Sequence, residues 1–335
     1  MTGHVVVAPD KFKGTLTAPR VAAAVARGLR DVVPDLDVRC LPVADGGDGT
    51  VDVAVAAGFV RVGRWVTGPV GAPVPASFAV RGDTAVVEVA AASGLALLDR
   101  PAPLAATSRG TGELLRSAHD LGCRRIILGV GGSACTDGGK GMLDGLGDRD
   151  LRDVELILAT DVDNPLLGPH GAAAVYGPQK GATPRQVEEL EARLRDWADE
   201  IGPSWADHPG AGAAGGIGFA ALAVLGATRR PGIDVVLDLV GFADHLPGAR
   251  LVITGEGSLD HQTAHGKAPA GVARASGGVP VVAVAGRCAV DPADLGIDAA
   301  YALLDVEPDL RRCLTSPEPV LRRLAGRIAV DRLGE

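Results

Sequence analysis

The sequence predicts an α/β protein of two domains: one discontinuous and built on a parallel sheet, the other an inserted mixed α/β domain. Three observations predict it. Strand, loop and helix alternate at both ends of the chain; the middle opens on short strands separated by turn signals; and 335 residues with 47% hydrophobic content suffice for two cores.

Residues 4–8 are a β-branched run ended by Pro9-Asp10, and Val21, Val25, Leu29 and Val32 then recur at helical spacing up to Pro34. Residues 38–43 make a second strand, after which Asp45-Gly46-Gly47-Asp48-Gly49-Thr50 opens a helix through Val51, Val55 and Phe59. This is a βαβ unit whose loops fall at strand C-terminal ends, where α/β proteins bind ligands. The pattern changes at Arg61: residues 64–67, 76–81 and 85–89 read as antiparallel strands around Gly-Pro and Gly-Asp turns. A helix over 107–119, a strand over 125–130, a glycine-rich loop and a strand over 157–160 follow. Thr183 caps and Pro184 opens a helix whose Val187, Leu190, Leu194 and Trp197 share one apolar face. A glycine-rich stretch leads into a helix ending near Leu225, and strands over 251–254, 279–285 and 299–303 bring the parallel set to five. The expected domains are therefore 1–62 plus 245–335, with 63–244 inserted.

Composition excludes several classes. Glycine and proline make up about 21% of the chain, below the roughly 25–30% that signals low complexity, so glycine serves turns. A net charge of -8 and only ten aromatic residues argue against a nucleic-acid partner. No apolar run approaches bilayer length and the start lacks a signal-peptide pattern, so a cytoplasmic protein with no membrane partner is expected. The five cysteines are scattered without pairing, which predicts neither a disulfide framework nor zinc, only small buried hydrophobes.

The lysines carry more information. Only five of the 33 basic residues are lysine, and four of them, Lys13, Lys140, Lys180 and Lys267, adjoin a glycine. Just six of the 28 arginines do. Arginine serves the general surface, whereas lysine stands where a compact charge beside exposed backbone N–H groups suits phosphate.

Seven polar, glycine-bearing loops follow strands or open helices: DKFKGT, DGGDGT, GGSACTDGGKG, TDVDN, GPQKG, GAGAAGG and TGEGSLDHQTAHGK. Glycine lets amides approach phosphate oxygens, lysine neutralises them, and carboxylates hold a metal or orient a hydroxyl; the combination points to phosphoryl transfer. Standard motifs do not explain it. No GxxxxGK[ST] is present, and the GxGxxG match at residues 210–215 follows a polar loop where a dinucleotide site needs a strand. His261 and His265, at i and i+4, are an incidental pair.

Taken together, PDKFKGTL, LPVADGGDGT, TSRGTGELL, GVGGSACTDGGKGML, DVDNPLLGPHGAAAVYGPQKGAT, GAGAAGGIGFAAL and TGEGSLDHQTAHGKAPAGVA resemble the bacterial glycerate kinase family over nearly the whole chain. The resemblance implies transfer of phosphate from ATP to the 2-hydroxyl of D-glycerate, giving 2-phosphoglycerate and ADP, with Mg2+. It also implies a flavodoxin-like domain and a domain resembling a restriction-endonuclease core, with the active site in the cleft between them. A homo-oligomer is compatible with it, as is a kinase for another small hydroxy or sugar acid, or one that makes the 3-phosphate. Two features depart from the family. Lys11 stands where relatives carry serine, and the stretch between Leu146 and Val154 is shorter than theirs.

Residue chemistry then suggests roles. Asp45 or Asp48 accepts the proton of the substrate hydroxyl. Asp161, Asp163, Glu256 and Asp260 are candidate magnesium ligands, because clustered loop carboxylates are costly without a cation. Lys13, Lys180 and Lys267 are candidate ligands of phosphate or of the glycerate carboxylate, with Lys11, Gly14 and Thr263 beside them. Ser133 and Thr136 are placed to cradle phosphate, and Asn164 to meet a substrate oxygen.

Overall fold

The computed structural model describes residues 3–261, 263 and 267–334. The chain divides into two compact units: unit 1 is Met1–Asp45, Asp52–Ala57 and Ile233–Glu335, and unit 2 is Gly46–Val51 and Gly58–Gly232. In chain order the elements begin with β1 (His4–Pro9), α1 (Ala18–Val32), β2 (Val38–Cys40) and α2 (Thr50–Ala56). Next come β3 (Val60–Thr67), β4 (Pro73–Arg81), β5 (Thr84–Glu88), α3 (Val89–Ser93), α4 (Arg109–Asp120) and β6 (Arg125–Gly129). They continue with α5 (Lys140–Leu146), β7 (Glu155–Ala159), α6 (Ala172–Tyr176), α7 (Pro184–Ile201), α8 (Ala213–Ala223) and β8 (Thr228–Arg230). The last are α9 (Gly232–Leu239), β9 (Ala249–Leu259), α10 (Ala268–Ala275), β10 (Val281–Cys288), β11 (Ala299–Ala302), α11 (Leu310–Thr315) and α12 (Pro317–Leu333).

Unit 1 carries a five-stranded, all-parallel sheet in the order β2-β1-β9-β10-β11. Counted within the unit this is 2-1-3-4-5, the flavodoxin-like order that the resemblance implies, and its direction reverses between β1 and β9. Both faces are covered. Val5 and Val7 of β1 join the core that holds Val25 and Leu29 of α1 with Leu321 and Leu324 of α12. The alternate residues Val6 and Ala8 join Val236 of α9 and Val272 of α10 in a second core. The period-2 alternation of a strand thus buries apolar side chains on both sides, as parallel sheets require.

Unit 2 carries a six-stranded mixed sheet, β3-β4-β5-β6-β7-β8. Pairing is antiparallel from β3 to β5 and parallel from β5 to β8. Phe78, Val87, Ile126, Leu128, Leu156 and Leu158 line one core with Leu114 of α4 and Met142 of α5. Strand β8 is not foreseen from the sequence, because Thr228-Arg229-Arg230 has no apolar alternation and its edge position demands none. Helix α7 forms where expected, with Thr183 and Gln186 completing a reciprocal capping box.

One expectation needs correction. Cys123, Cys135 and Cys313 are buried, but Cys40 and Cys288 are exposed. Both exposed thiols are the last residues of their strands, where the sheet no longer covers them. No helix of the described residues is long and apolar enough to cross a membrane.

Candidate active site

In unit 1 the functional side chains collect at the C-terminal ends of β1 and β9 and in the loop after β2. The register pairs Ala8 with Thr254 and Pro9 with Gly255, and the Asp10 N–H donates to the Gly255 carbonyl at 2.8 Å. Asp10, just past the end of β1, therefore lies beside Glu256, which is still paired with Ala285 of β10. Asp10 is only 6% exposed and Glu256 8%. Burial pushes the Asp10 carboxyl up to about 7, with Asp45 and Glu256 adding like charge and Lys11 opposing them. The Lys11 N–H donates to Asp10 Oδ1 at 2.6 Å, and its ammonium lies 3.7 Å from the same atom. Burial also raises the Glu256 carboxyl, against the Thr263 hydroxyl that donates to it at 2.5 Å. Lys267, at the start of α10, places its ammonium 3.7 Å from Glu256 and 3.9 Å from Asp260. The Asp260 N–H donates to the Thr263 hydroxyl at 3.1 Å, closing this turn.

The first loop is a miniature hairpin. Phe12 and Leu16 exchange backbone hydrogen bonds at 2.9 and 3.0 Å and are buried, which leaves Lys13 and Gly14 exposed at the tip. Gly14 has a φ of 77°, open to glycine at no steric cost.

The unit 2 candidates gather on the loop after β6. Lys180 is 3% exposed and donates to the Ser133 hydroxyl at 2.9 Å and to the Cys135 carbonyl at 2.5 Å. Burial depresses its ammonium pKa. The loop also pairs with the stretch after α3: the Ala134 N–H donates to the Ser93 carbonyl at 2.8 Å and the Leu95 N–H to the Gly132 carbonyl at 2.9 Å. Thr136 is buried and its hydroxyl has no hydrogen-bond partner among the described residues, a polar atom of the kind a ligand oxygen would satisfy. Asp48 is exposed and stands beside Gly132 of the same loop. Asp45 and Asp48, three residues apart, thus belong to different units.

The glycine-rich stretch before α8 has another role. Ala214, Gly215 and Gly216 take φ values of 54°, 73° and 92°, and a Cβ on Gly215 would lie 2.1 Å from the Cys135 carbonyl oxygen. The stretch is a close-packed support for the backbone of the loop after β6.

The remaining candidates follow β7, the neighbour of β6 in the unit 2 sheet. Asp163 pairs with Arg229, and Asp161 accepts the Gly232 N–H at 2.9 Å. Asn164 donates to the His170 carbonyl at 2.8 Å and accepts the Tyr176 hydroxyl at 2.6 Å. Among the described residues no three or more of His, Cys, Asp and Glu form a cluster able to hold a metal. Magnesium ordinarily takes one or two carboxylates plus waters and substrate phosphates. Glu256 and Asp260, two carboxylates beside one ammonium, fit that lesser demand. His265 and Gly266 lie outside the described residues. A cleft of about 790 Å³ opens between α1 and α12, but its Arg20 and Arg27 are paired with Glu318 and its Arg322 with Asp31.

Sequence reasoning misses Asp10 and Asp137. A Pro-Asp at a strand end and an Asp between Thr and Gly both read as turn residues; only the long-range neighbours distinguish them.

A family model described as the glycerate kinase family matches residues 5–152 and 148–332. A glycerate kinase of Bacillus subtilis (strain 168) is 44% identical, covering 98% of this chain and 97% of its own. A glycerate 2-kinase of Escherichia coli (strain K12) is 41% identical over 90% of each chain. A crystal structure from Salmonella typhimurium LT2 superposes with a TM-score of 0.84 at 39% identity, covering 99% of this chain and 98% of that one.

Proposed function

The chain belongs to the glycerate kinase family, and from that premise we propose that it transfers the terminal phosphoryl group of ATP to the 2-hydroxyl of D-glycerate, giving 2-phosphoglycerate and ADP. One observation carries the reading. Asp10 and Glu256 are buried at neighbouring strand ends at the switch point of the unit 1 sheet, with Asp45 close enough to raise the pKa of both and Glu256 close enough to raise that of Asp10. Three carboxylates there cost free energy unless a proton, a lysine or a cation answers them, and a hydroxyl acceptor with a metal-bound phosphate donor supplies both proton and cation.

Asp45 accepts the hydroxyl proton. Asp10 holds or releases a proton near neutral pH and so buffers the charge beside Asp45. Lys267, Lys13 and Lys11 bring point charges for phosphate or for the glycerate carboxylate, with Thr263 fixing Glu256 and Gly14 letting the hairpin tip turn. Ser133 and Thr136, on a loop held by Lys180, receive phosphoryl oxygens. Magnesium would be held by Glu256 and Asp260 and would neutralise phosphate charge there.

Incubation of the purified chain with ATP, Mg2+ and D-glycerate, with products followed by phosphorus NMR, tests the reading. A magnesium-dependent 2-phosphoglycerate signal is expected. A 3-phosphate would overturn the position of transfer, and turnover only with a different hydroxy acid would overturn the acceptor.

A further inference from the structure

We propose that Asp137 is a positioning residue: it sets the shape of the loop after β6 and thereby the geometry in which the transferred phosphoryl group is held. The inference rests on the kinase reading.

The Asp137 carboxylate is surrounded by donors from two separate segments. Oδ2 accepts the Ser108 N–H and the Ser108 hydroxyl, each at 2.8 Å, and the Gly141 N–H at 3.2 Å. Oδ1 accepts the Gly139 N–H at 3.2 Å. Having donated its proton, the Ser108 hydroxyl accepts the Met142 N–H at 2.7 Å. One side chain therefore ties the loop after β6 to the start of α4, 29 residues away in sequence. Oδ2 takes three of these donors, with the Thr107 hydroxyl a longer fourth at 3.5 Å, and Oδ1 takes one, so the carboxylate is committed chiefly to holding these two segments together.

The local sequence is built around the contact. A Cβ on Gly141 would lie 2.2 Å from the Thr107 hydroxyl and 2.8 Å from Asp137 Oδ2, so the two segments meet only because residue 141 is glycine. On the other side of Asp137, Lys180 fixes Ser133 and Cys135, and the Gly138 N–H donates to the Gly215 carbonyl at 3.0 Å. Between these anchors lies Thr136, with its buried hydroxyl unpartnered among the described residues. Its direction is set by the backbone that Asp137 holds, so the TSRGTGELL and GGSACTDGGKG motifs form one device.

The test compares Asp137→Ala, Asp137→Asn and Ser108→Ala with Glu113→Gln, each measured for kcat, for both KM values and for Tm. Glu113 also lies on α4 and accepts the Thr67 N–H and hydroxyl at 2.7 and 2.8 Å, remote in sequence from the loop. It therefore reports what loss of a structural carboxylate does by itself. We expect Asp137→Ala to lower kcat about 100-fold with little change in KM for D-glycerate, the size of effect that a 1 Å misplacement produces. Asp137→Asn, which keeps one acceptor oxygen, should recover part of that loss. Ser108→Ala should lower kcat by a smaller factor, and Glu113→Gln should lower Tm without lowering kcat. Amide exchange over residues 131–139 should accelerate in Asp137→Asn and not in Glu113→Gln. Folded Asp137 variants with kcat within threefold of wild type would overturn the proposal, as would a kcat loss matched by Glu113→Gln at equal loss of Tm. Failure of the kinase reading looks different: the unsubstituted chain would then not phosphorylate glycerate, while the exchange difference would persist.

Discussion

Unit 1 and unit 2 prepare for anionic substrates by opposite means. At the strand ends of unit 1, charge is concentrated in titratable side chains: Asp10 and Glu256 are buried with raised pKa values, beside Asp45, Lys11 and Lys267. Around the loop after β6 in unit 2, the interactions are mostly backbone and hydroxyl hydrogen bonds, and the two buried or part-buried charged groups Asp137 and Lys180 are spent on holding the loop, with the exposed Asp48 beside it. The first arrangement can move a proton or take a cation, but it is costly to keep. The second cannot change its charge state readily, but it presents a fixed geometry. A phosphoryl transfer needs both properties, because its barrier is lowered by positioning and by charge stabilisation.

Substitutions that exchange these properties should fail in different assays. The largest effect is expected from Gly215→Ala, whose Cβ would collide with the Cys135 carbonyl oxygen in a left-handed backbone conformation. It should cost about 3–5 kcal/mol of stability, read from urea denaturation; an unchanged midpoint would mean the loop of unit 2 is not tightly supported.

Asp10→Asn probes the opposite property. Its raised pKa means that the folded chain binds this proton more tightly than the unfolded chain does, so the contribution is most favourable below about pH 4 and is lost as pH rises toward about 7. Replacing the carboxyl by an amide should therefore stabilise the chain by up to about 4 kcal/mol at pH 8 and by almost nothing at pH 4. Parallel denaturation curves at both pH values for the two proteins would break the comparison.

Lys267→Ala should raise KM for ATP or for D-glycerate at least about tenfold, or roughly 1.4 kcal/mol. Unchanged KM values for both substrates would remove it from the site. The smallest effect belongs to Glu318→Ala, which loses two exposed ion pairs, with Arg20 and Arg27, between α1 and α12. About 0.5 kcal/mol or less is expected, and a loss above about 2 kcal/mol would show that surface charge, not buried charge, dominates in this unit.

Much of this contrast is legible in the sequence. Five parallel strands follow from the alternation at the chain ends, and the glycine-flanking lysines lead to Lys13, Lys180 and Lys267. What is not legible depends on distant neighbours. Asp10 acquires its raised pKa chiefly from burial at the end of β1, with Asp45 and Glu256 adding like charge, and Glu256 is brought alongside by the pairing of β1 with β9. Asp137 resembles any Asx turn until Ser108 is placed against it. The glycines at residues 210–216 look like a phosphate cradle, yet they serve close backbone approach, since sequence shows that a position tolerates no side chain without showing what lies opposite. Lysine beside glycine is likewise ambiguous: Lys13 is exposed at a hairpin tip, whereas Lys180 is buried as a staple.

The claim that proton transfer belongs to the unit 1 carboxylates is tested most directly by kcat for Asp45→Asn at saturating ATP and D-glycerate, with Asp48→Asn measured alongside. The account predicts a fall of roughly 10³-fold for Asp45→Asn with Tm nearly unchanged, the range expected for loss of a general base, and a smaller fall for Asp48→Asn. Near-normal turnover in Asp45→Asn, with collapse in Asp48→Asn, would contradict it and move the base to the carboxylate beside Gly132.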